Sequence, residues 1–318
     1  MKRSKLLFLL LLLVLLLSST AAAHAEGGAR IALSGAADLT WTCGEPWHDP
    51  GFAAFDVNGK DRRRDVAIEG AVIPWRPGDY ELRYVLTEGD VPLAETARRV
   101  HVEAQTLPET VQPPKGTICL TFDDGPCEYT EEALEVLAKY GVKATFFVVA
   151  NQTKYLHLLP KILEQGHTLG IHCYDHRSYG WLYEKEQNYF TDLMTAQEIV
   201  HDYTGQYAHV VRFPGGSRTA SFLAATFPGG YEELYDVMRD AGVRVYDWNV
   251  QPESGTKTTE GTFIDFSHPR EPYEYAVVLQ HDARLFSVKA LDSMIRWALQ
   301  EGYTFAALDE TFPEVHFY

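Results

Sequence analysis

Four short stretches of this 318-residue chain carry residue types that can do chemistry together. The first is Thr121-Phe122-Asp123-Asp124-Gly125-Pro126. Adjacent carboxylates repel unless a cation or a proton sits between them, so the pair invites a metal; its plainer use is a solvated turn whose Asp caps the following helix. The second is His172-Cys173-Tyr174-Asp175-His176, where one turn of helix or a tight loop can aim both imidazoles at one point. With 12 histidines in the chain, chance supplies about half an H-x-x-x-H, so this motif counts only beside the aspartates. Together they form a two-His, one-carboxylate set with open coordination positions, which suits zinc in a catalytic setting. The third stretch is Arg212-Phe213-Pro214-Gly215-Gly216, where a guanidinium can brace a carboxylate and glycines let backbone N–H groups approach a ligand. The fourth is Leu279-Gln280-His281-Asp282, whose His follows an apolar run and can deliver a proton. Taken singly, Arg212 is an ordinary turn residue and His281 a structural one; their weight comes from all four stretches sharing one domain.

Each stretch falls at or just past the C-terminal end of a strand-like run, the edge at which parallel α/β folds collect functional groups. Strand-like runs at 118–122, 144–149, 210–213, 243–246 and 276–279 alternate with helix-like ones at 130–139, 157–165, 188–203, 231–241 and 288–300. That alternation predicts an α/β domain over 116–318 with a mainly parallel sheet or barrel. Roughly 200 residues is short for eight complete barrel units. Upstream, 30–104 shows period-two patterning, as in Tyr80–Leu86, broken by Pro- and Gly-containing turns, which predicts a small all-β sandwich. Residues 105–115, rich in proline, read as a stiff linker.

The N-terminus is expected to direct the chain out of the cell. Lys2, Arg3 and Lys5 precede an apolar run from Leu6 to Leu17, and Ala23-His24-Ala25 ends it with a small-x-small site. Residues 1–25 are therefore expected to be a secretory signal cut after Ala25, leaving no stable membrane span, since a spanning helix needs roughly 20 apolar residues. Export makes disulfides available to Cys43, Cys119, Cys127 and Cys173, with three full pairings open and a Cys127–Cys173 bridge near the candidate site among them. Lys and Arg number 28 against 44 Asp and Glu, a formal charge of -16. Nucleic acids and anionic membranes need a basic footprint, so neither is an expected partner.

The succession T-F-D-D-G-P, H-x-x-x-H, R-F-P-G-G and L-x-H resembles the polysaccharide deacetylase family with NodB homology, a family of metal-dependent carbohydrate esterases, from about Gly116 to Phe312. The resemblance implies a distorted (β/α) barrel with fewer than eight complete units. It also implies Asp123 as catalytic base, and Asp124, His172 and His176 as ligands of one divalent metal, zinc or alternatively cobalt. Arg212 matches the arginine that orients the base, Leu279 a wall of the acetyl pocket and His281 the catalytic acid. A backbone N–H near Gly215 is the expected oxyanion donor, and Trp248 either lines the acyl pocket, stacks on sugar or fills the core. One motif departs from the family. Its members carry an aspartate about six residues beyond a strand-end aromatic to hold the catalytic His; here six from Trp248 reaches Ser254, with Glu253 one step short, leaving Asp247 and Glu253 both open as supports of His281. In the upstream segment, Trp47–Asp56 and Pro77–Tyr84 resemble bacterial Ig-like surface modules, which implies a spacer.

The implied activity is removal of N-acetyl groups from N-acetylglucosamine units of a cell-wall polysaccharide, peptidoglycan first, with chitin oligosaccharides or acetylated xylan as alternatives. The implied location is secreted or wall-associated. A non-catalytic glycan-binding protein would lack the base or the acid, yet Asp123 and His281 are both present. A zinc peptidase would want H-E-x-x-H, which does not occur.

Overall fold

In the computed structural model the described residues are 28–176, 179–227, 229–269 and 273–317; the expected export signal lies outside them. The first unit is all-β. Strands β1 (Arg30–Leu33), β2 (Asp38–Thr42), β3 (Phe52–Phe55), β4 (Val66–Glu69), β5 (Gly78–Glu88) and β6 (Val91–Glu103) form two sheets. β1 pairs with β3, and the larger sheet runs β2-β6-β5-β4, antiparallel except for the parallel β2–β6 pair. Alternation on β5 and β6 buries Leu82, Tyr84, Leu86, Val100 and Val102 between the sheets. Buried Arg98 donates to the carbonyls of Ser34, Ala36 and Gly51, tying the β2 edge to the β3 turn.

The second unit runs β7 (Thr117–Asp123), α1 (Thr130–Tyr140), β8 (Thr145–Val149), α2 (Leu159–Glu164), β9 (Thr168–Cys173), α3 (Tyr179–Leu182), α4 (Glu186–Thr204), β10 (Val210–Val211), α5 (Gly216–Leu223), α6 (Gly230–Asp240), β11 (Arg244–Val245), α7 (Thr259–Ser267), β12 (Tyr275–His281), α8 (Leu285–Gln300) and β13 (Thr304–Phe305). Its strands are all parallel, in the order β11-β10-β9-β8-β7-β12, with β13 beside the start of β7. The segment leaving β11 bridges Val250 to Val278 of β12, so the two edges of the sheet meet and an incomplete barrel closes. This is the distorted (β/α) barrel anticipated above.

Side-chain alternation sorts the strand residues into two layers. Ile118, Leu120, Phe122, Phe146, Val148, Ile171 and Val278 face the helices in the main core. Cys119, Phe147, Val210, Tyr246, Val277 and Leu308 fill the barrel interior. Gly170 belongs to that interior set, since a Cβ there would come within 2.6 Å of Phe147. Continuing the inward parity to the strand ends brings Asp123, His172, Arg212 and His281 to the C-terminal mouth.

The all-β unit is not held at arm's length. It lies along the barrel flank from the lower end of α6, where Gln105 N–H donates to Asp240 O at 2.8 Å, to the first turns of α4 and α6. There Arg76 grips Glu186 through Nε and Nη2 (2.8 and 3.0 Å) and Glu233 through Nη1 (2.5 Å), and Trp75 stacks on Phe190 at 5.1 Å. The expected linker is pinned too, with Val111 N–H donating to Thr311 O. Arg76→Ala leaves two partly buried carboxylates without their cation. It is expected to cost about 2 kcal/mol, read as a melting temperature lower by roughly 4–8 °C in a calorimetric scan.

All four cysteines are free thiols, so the Cys127–Cys173 bridge does not form. Cys127 instead donates Sγ–H to Asp282 O at 3.3 Å. No helix among the described residues is long and apolar enough to cross a membrane.

Candidate active site

The aspartate pair ends β7 and then turns sharply. Asp123 keeps the strand's inward direction and is buried. Asp124 adopts φ +73°, the only non-glycine residue with positive φ among those described. Asp is one of the few residues that tolerates this region, and such strain collects at functional sites. The following Gly125 has no room for a side chain, because its Cβ would fall 2.2 Å from the carboxylate of Asp282, which lies on the β12 loop. The loops after β7 and β12 therefore interlock. Burial, reinforced by the charge of Asp124, pushes the Asp282 carboxyl up to about 7.

His172 and His176 do not share a turn of helix: His172 is the inward residue near the end of β9 and His176 lies beyond it. The spacing works because the chain reverses between them. Buried Asp192, on α4, accepts the N–H groups of Tyr174 (2.7 Å) and Asp175 (3.1 Å) and so holds that turn. Tyr179 packs against the His176 ring at 5.6 Å. Nδ1 of His172 meets the carbonyl of Arg212 at 2.8 Å, which fixes its tautomer and leaves Nε2 facing the mouth. Burial depresses the His172 pKa and favours the neutral imidazole that a metal requires.

Ligand atoms of Asp124, His172 and His176 all lie within 4.8 Å of one another, and Nε2 of each His is 3.7 Å from Asp124 Oδ1. Ligands about 2 Å from a common tetrahedral centre are themselves roughly 3.4 Å apart. Asp124 Oδ1 is buried and has no hydrogen-bond partner. A buried carboxylate oxygen left unpaired beside two imidazole nitrogens is what a divalent cation would satisfy, so the donor set fits a metal.

Arg212 is wholly buried at the end of β10 and lies over the Phe147 ring at 4.2 Å. It donates to Asp123 Oδ1 at 2.8 Å, to Thr121 Oγ1 at 2.6 Å and to the carbonyls of Tyr246 and Asp247 at 2.9 Å. Four acceptors fix the guanidinium, and it in turn fixes Asp123.

Of the two candidate supports for His281, the structure selects Glu253. Its Oε2 lies 2.8 Å from His281 Nδ1, its Oε1 accepts the His281 backbone N–H at 3.0 Å, and Arg284 braces it at 2.7 Å. Burial alone would lower the His281 pKa, but the bond to Glu253 and the charge of Asp123 outweigh it, and the pKa is raised. Asp247 does not serve His281. Its carboxylate is consumed by the Ser217 N–H and hydroxyl and by the Phe317 N–H, so it pins the C-terminal segment to α5 instead.

The three residues expected to meet substrate are more loosely placed. Leu279 faces inward on β12, opposite Thr121. Gly215 caps α5 with φ +79°, whereas the N–H of its neighbour Gly216 is already spent on Phe213 O. Trp248 is half-buried, edge-on to Phe317 at 4.8 Å and 5.7 Å from the Arg212 guanidinium. Sequence reasoning missed Asp192, Asp282 and Tyr179; an aspartate inside a helix pattern or after a His carries no signal of what it will hold.

A family model described as polysaccharide deacetylase matches residues 110–234, and one described as bacterial surface protein, Ig-like domain, matches 31–102. A peptidoglycan-N-acetylmuramic acid deacetylase of Bacillus subtilis is 30% identical over 198 residues, covering 61% of this chain and 70% of that protein. The chain belongs to the polysaccharide deacetylase family. A peptidoglycan-N-acetylglucosamine deacetylase of Bacillus cereus is 29% identical over 210 residues, 62% of this chain and 70% of that protein. Among solved structures, the catalytic domain of a peptidoglycan N-acetylglucosamine deacetylase from Eubacterium rectale superposes with a TM-score of 0.59 at 35% identity, over 66% of this chain and 96% of that one. A Bacillus cereus polysaccharide deacetylase gives 0.56 at 26%, over 64% and 97%. This deacetylase thus carries its family's barrel behind a surface-type Ig-like module.

Proposed function

We propose that this deacetylase is exported and hydrolyses N-acetyl groups of N-acetylglucosamine units in peptidoglycan, using zinc held by Asp124, His172 and His176. The observation that carries the reading is the convergence of that ligand set with an Arg212-braced Asp123 and a Glu253-held His281 at one barrel mouth. The Bacillus and Eubacterium relatives named for peptidoglycan support the substrate, and the surface-type module supports the location.

Amide hydrolysis needs a better nucleophile than neutral water and a better leaving group than an amide anion. Held by Asp124, His172 and His176, a zinc ion would supply Lewis acidity, lowering the pKa of water to about 7 and polarising the acetyl carbonyl. Asp123 takes the proton of the attacking water, its carboxylate held in place by Arg212. A backbone N–H near Gly215 is the proposed donor to the developing negative charge on the acetyl oxygen. His281, whose protonated form Glu253 favours, gives its proton to the sugar nitrogen as the C–N bond breaks, so acetate leaves and a free amine remains. Leu279 and Trp248 wall the acetyl group.

Acetate release from purified peptidoglycan tests this directly. Treatment with a chelator is expected to abolish release and added zinc to restore it. Release indifferent to chelator excludes the metal, and release confined to chitin oligosaccharides or acetylated xylan reassigns the substrate.

A further inference from the structure

The substrate proposed above is a polymer, so it must lie across more of the protein than the reacting sugar covers. The loop that leaves β9 through His176 shows one direction in which it can run. Beyond it α3 (Tyr179–Leu182) leads to the start of α4 at Glu186. Tyr179 sits against His176, and two residues on Trp181 is 37% exposed. Just beyond it, a groove of about 390 Å³ opens between the barrel and the Ig-like module. Ile73, Trp75 and Arg76 line it from the module, and residues 184–187 with the buried Phe227 line it from the barrel.

We infer that this groove is a glycan subsite, and that the Ig-like module supplies half of it. The chemistry suits a sugar: half-buried Ile73 offers apolar surface to the C–H face of a pyranose, and the exposed Lys185 and Gln187, beside Glu184, offer donors to its hydroxyls and carbonyls. The wall contributed by the module is fixed, not draped. Arg76 bonds the first turns of both α4 and α6, and Trp75 is stacked on Phe190 with planes 5° apart. A pre-formed groove needs no ordering when the polymer arrives. The substrate class here rests on the proposed function, but the groove itself rests on the docking of the two units.

The test compares a glycan polymer with a short oligosaccharide. Glycol chitin and the disaccharide N,N′-diacetylchitobiose serve as probes, with acetate release as the readout. Two variants of the full chain are made independently: Lys185→Ala with Gln187→Ala on the barrel side, and Ile73→Ser on the module side. Both are expected to lower the polymer-to-disaccharide ratio of kcat/KM by about five- to tenfold. A ratio that stays at the wild-type value in both, whether activity persists or falls equally on the two substrates, overturns the subsite. Affinity electrophoresis in gels containing glycol chitin reads binding without turnover. Wild-type retardation that the variants lose supports the groove even if no acetate is released, an outcome that would sink only the proposed chemistry. Retardation unchanged in both variants counts against the groove.

Discussion

Asp123→Asn is expected to bind metal normally and to lose about 10²–10⁴-fold in kcat. The substitution keeps the shape of a buried side chain, and an amide oxygen can still accept the 2.8 Å bond from Arg212. What it removes is the capacity to take a proton. Because Asp124 and not Asp123 belongs to the ligand cluster, zinc affinity measured by chelator competition should stay within a few-fold of wild type. A second effect follows from charge. Asp123 is one of the groups that raise the His281 pKa, so its neutralisation should also make the acid easier to deprotonate. Near-normal turnover in this variant would mean that another group activates water. Loss of metal instead would mean that the two aspartates have exchanged roles.

The contrast between the two aspartates also shows how far the sequence could be read. T-F-D-D-G-P at a strand end pointed to a cation, and the run of strand-like and helix-like segments was enough to put the four stretches at the C-terminal edge of a mainly parallel sheet. The strand expected at 118–122 appears as β7, and the helix expected at 188–203 as α4, because long apolar-periodic runs are decided by burial. Helices α5 and α7 were not legible. The sequence of α7, Thr259-Glu260-Gly261-Thr262-Phe263, mixes Gly with β-branched residues, and it forms because the Thr258 hydroxyl accepts the Gly261 N–H at 3.1 Å. β9 was hidden because Thr168-Leu169-Gly170 breaks the strand pattern at the very glycine that Phe147 needs. Its concealment is why the sequence left a turn of helix and a tight loop both open for the His pair, of which the structure shows the loop. The position of the Ig-like module was hidden for a different reason. Arg76, Glu186 and Glu233 are each common surface residues, and no local pattern ties residues 110 and 157 positions apart.

Glu253→Gln separates the two supports that the sequence left open. In the wild-type site burial works against a charged His281, and the Glu253 carboxylate is the strongest group opposing it. An acid acts only while protonated, so activity falls as pH rises through the raised His281 pKa. Removing the carboxylate lowers that pKa, and the alkaline limb of kcat/KM is expected to move to lower pH. At neutral pH the loss should reach about 10–10²-fold, the usual cost of removing the group that orients a functional imidazole. Gln cannot keep both contacts of Glu253 with His281 and also neutralise Arg284, whose cation would then sit beside the imidazole and depress its pKa further. Asp247→Asn is the informative comparison. Its carboxylate touches Ser217 and Phe317 and not His281, so it should weaken the hold on the C-terminal segment while the alkaline limb stays in place. Full pH profiles of both variants decide the matter: a limb that moves with Asp247 and not with Glu253 would overturn the assignment of the acid's partner, whatever the distances suggest.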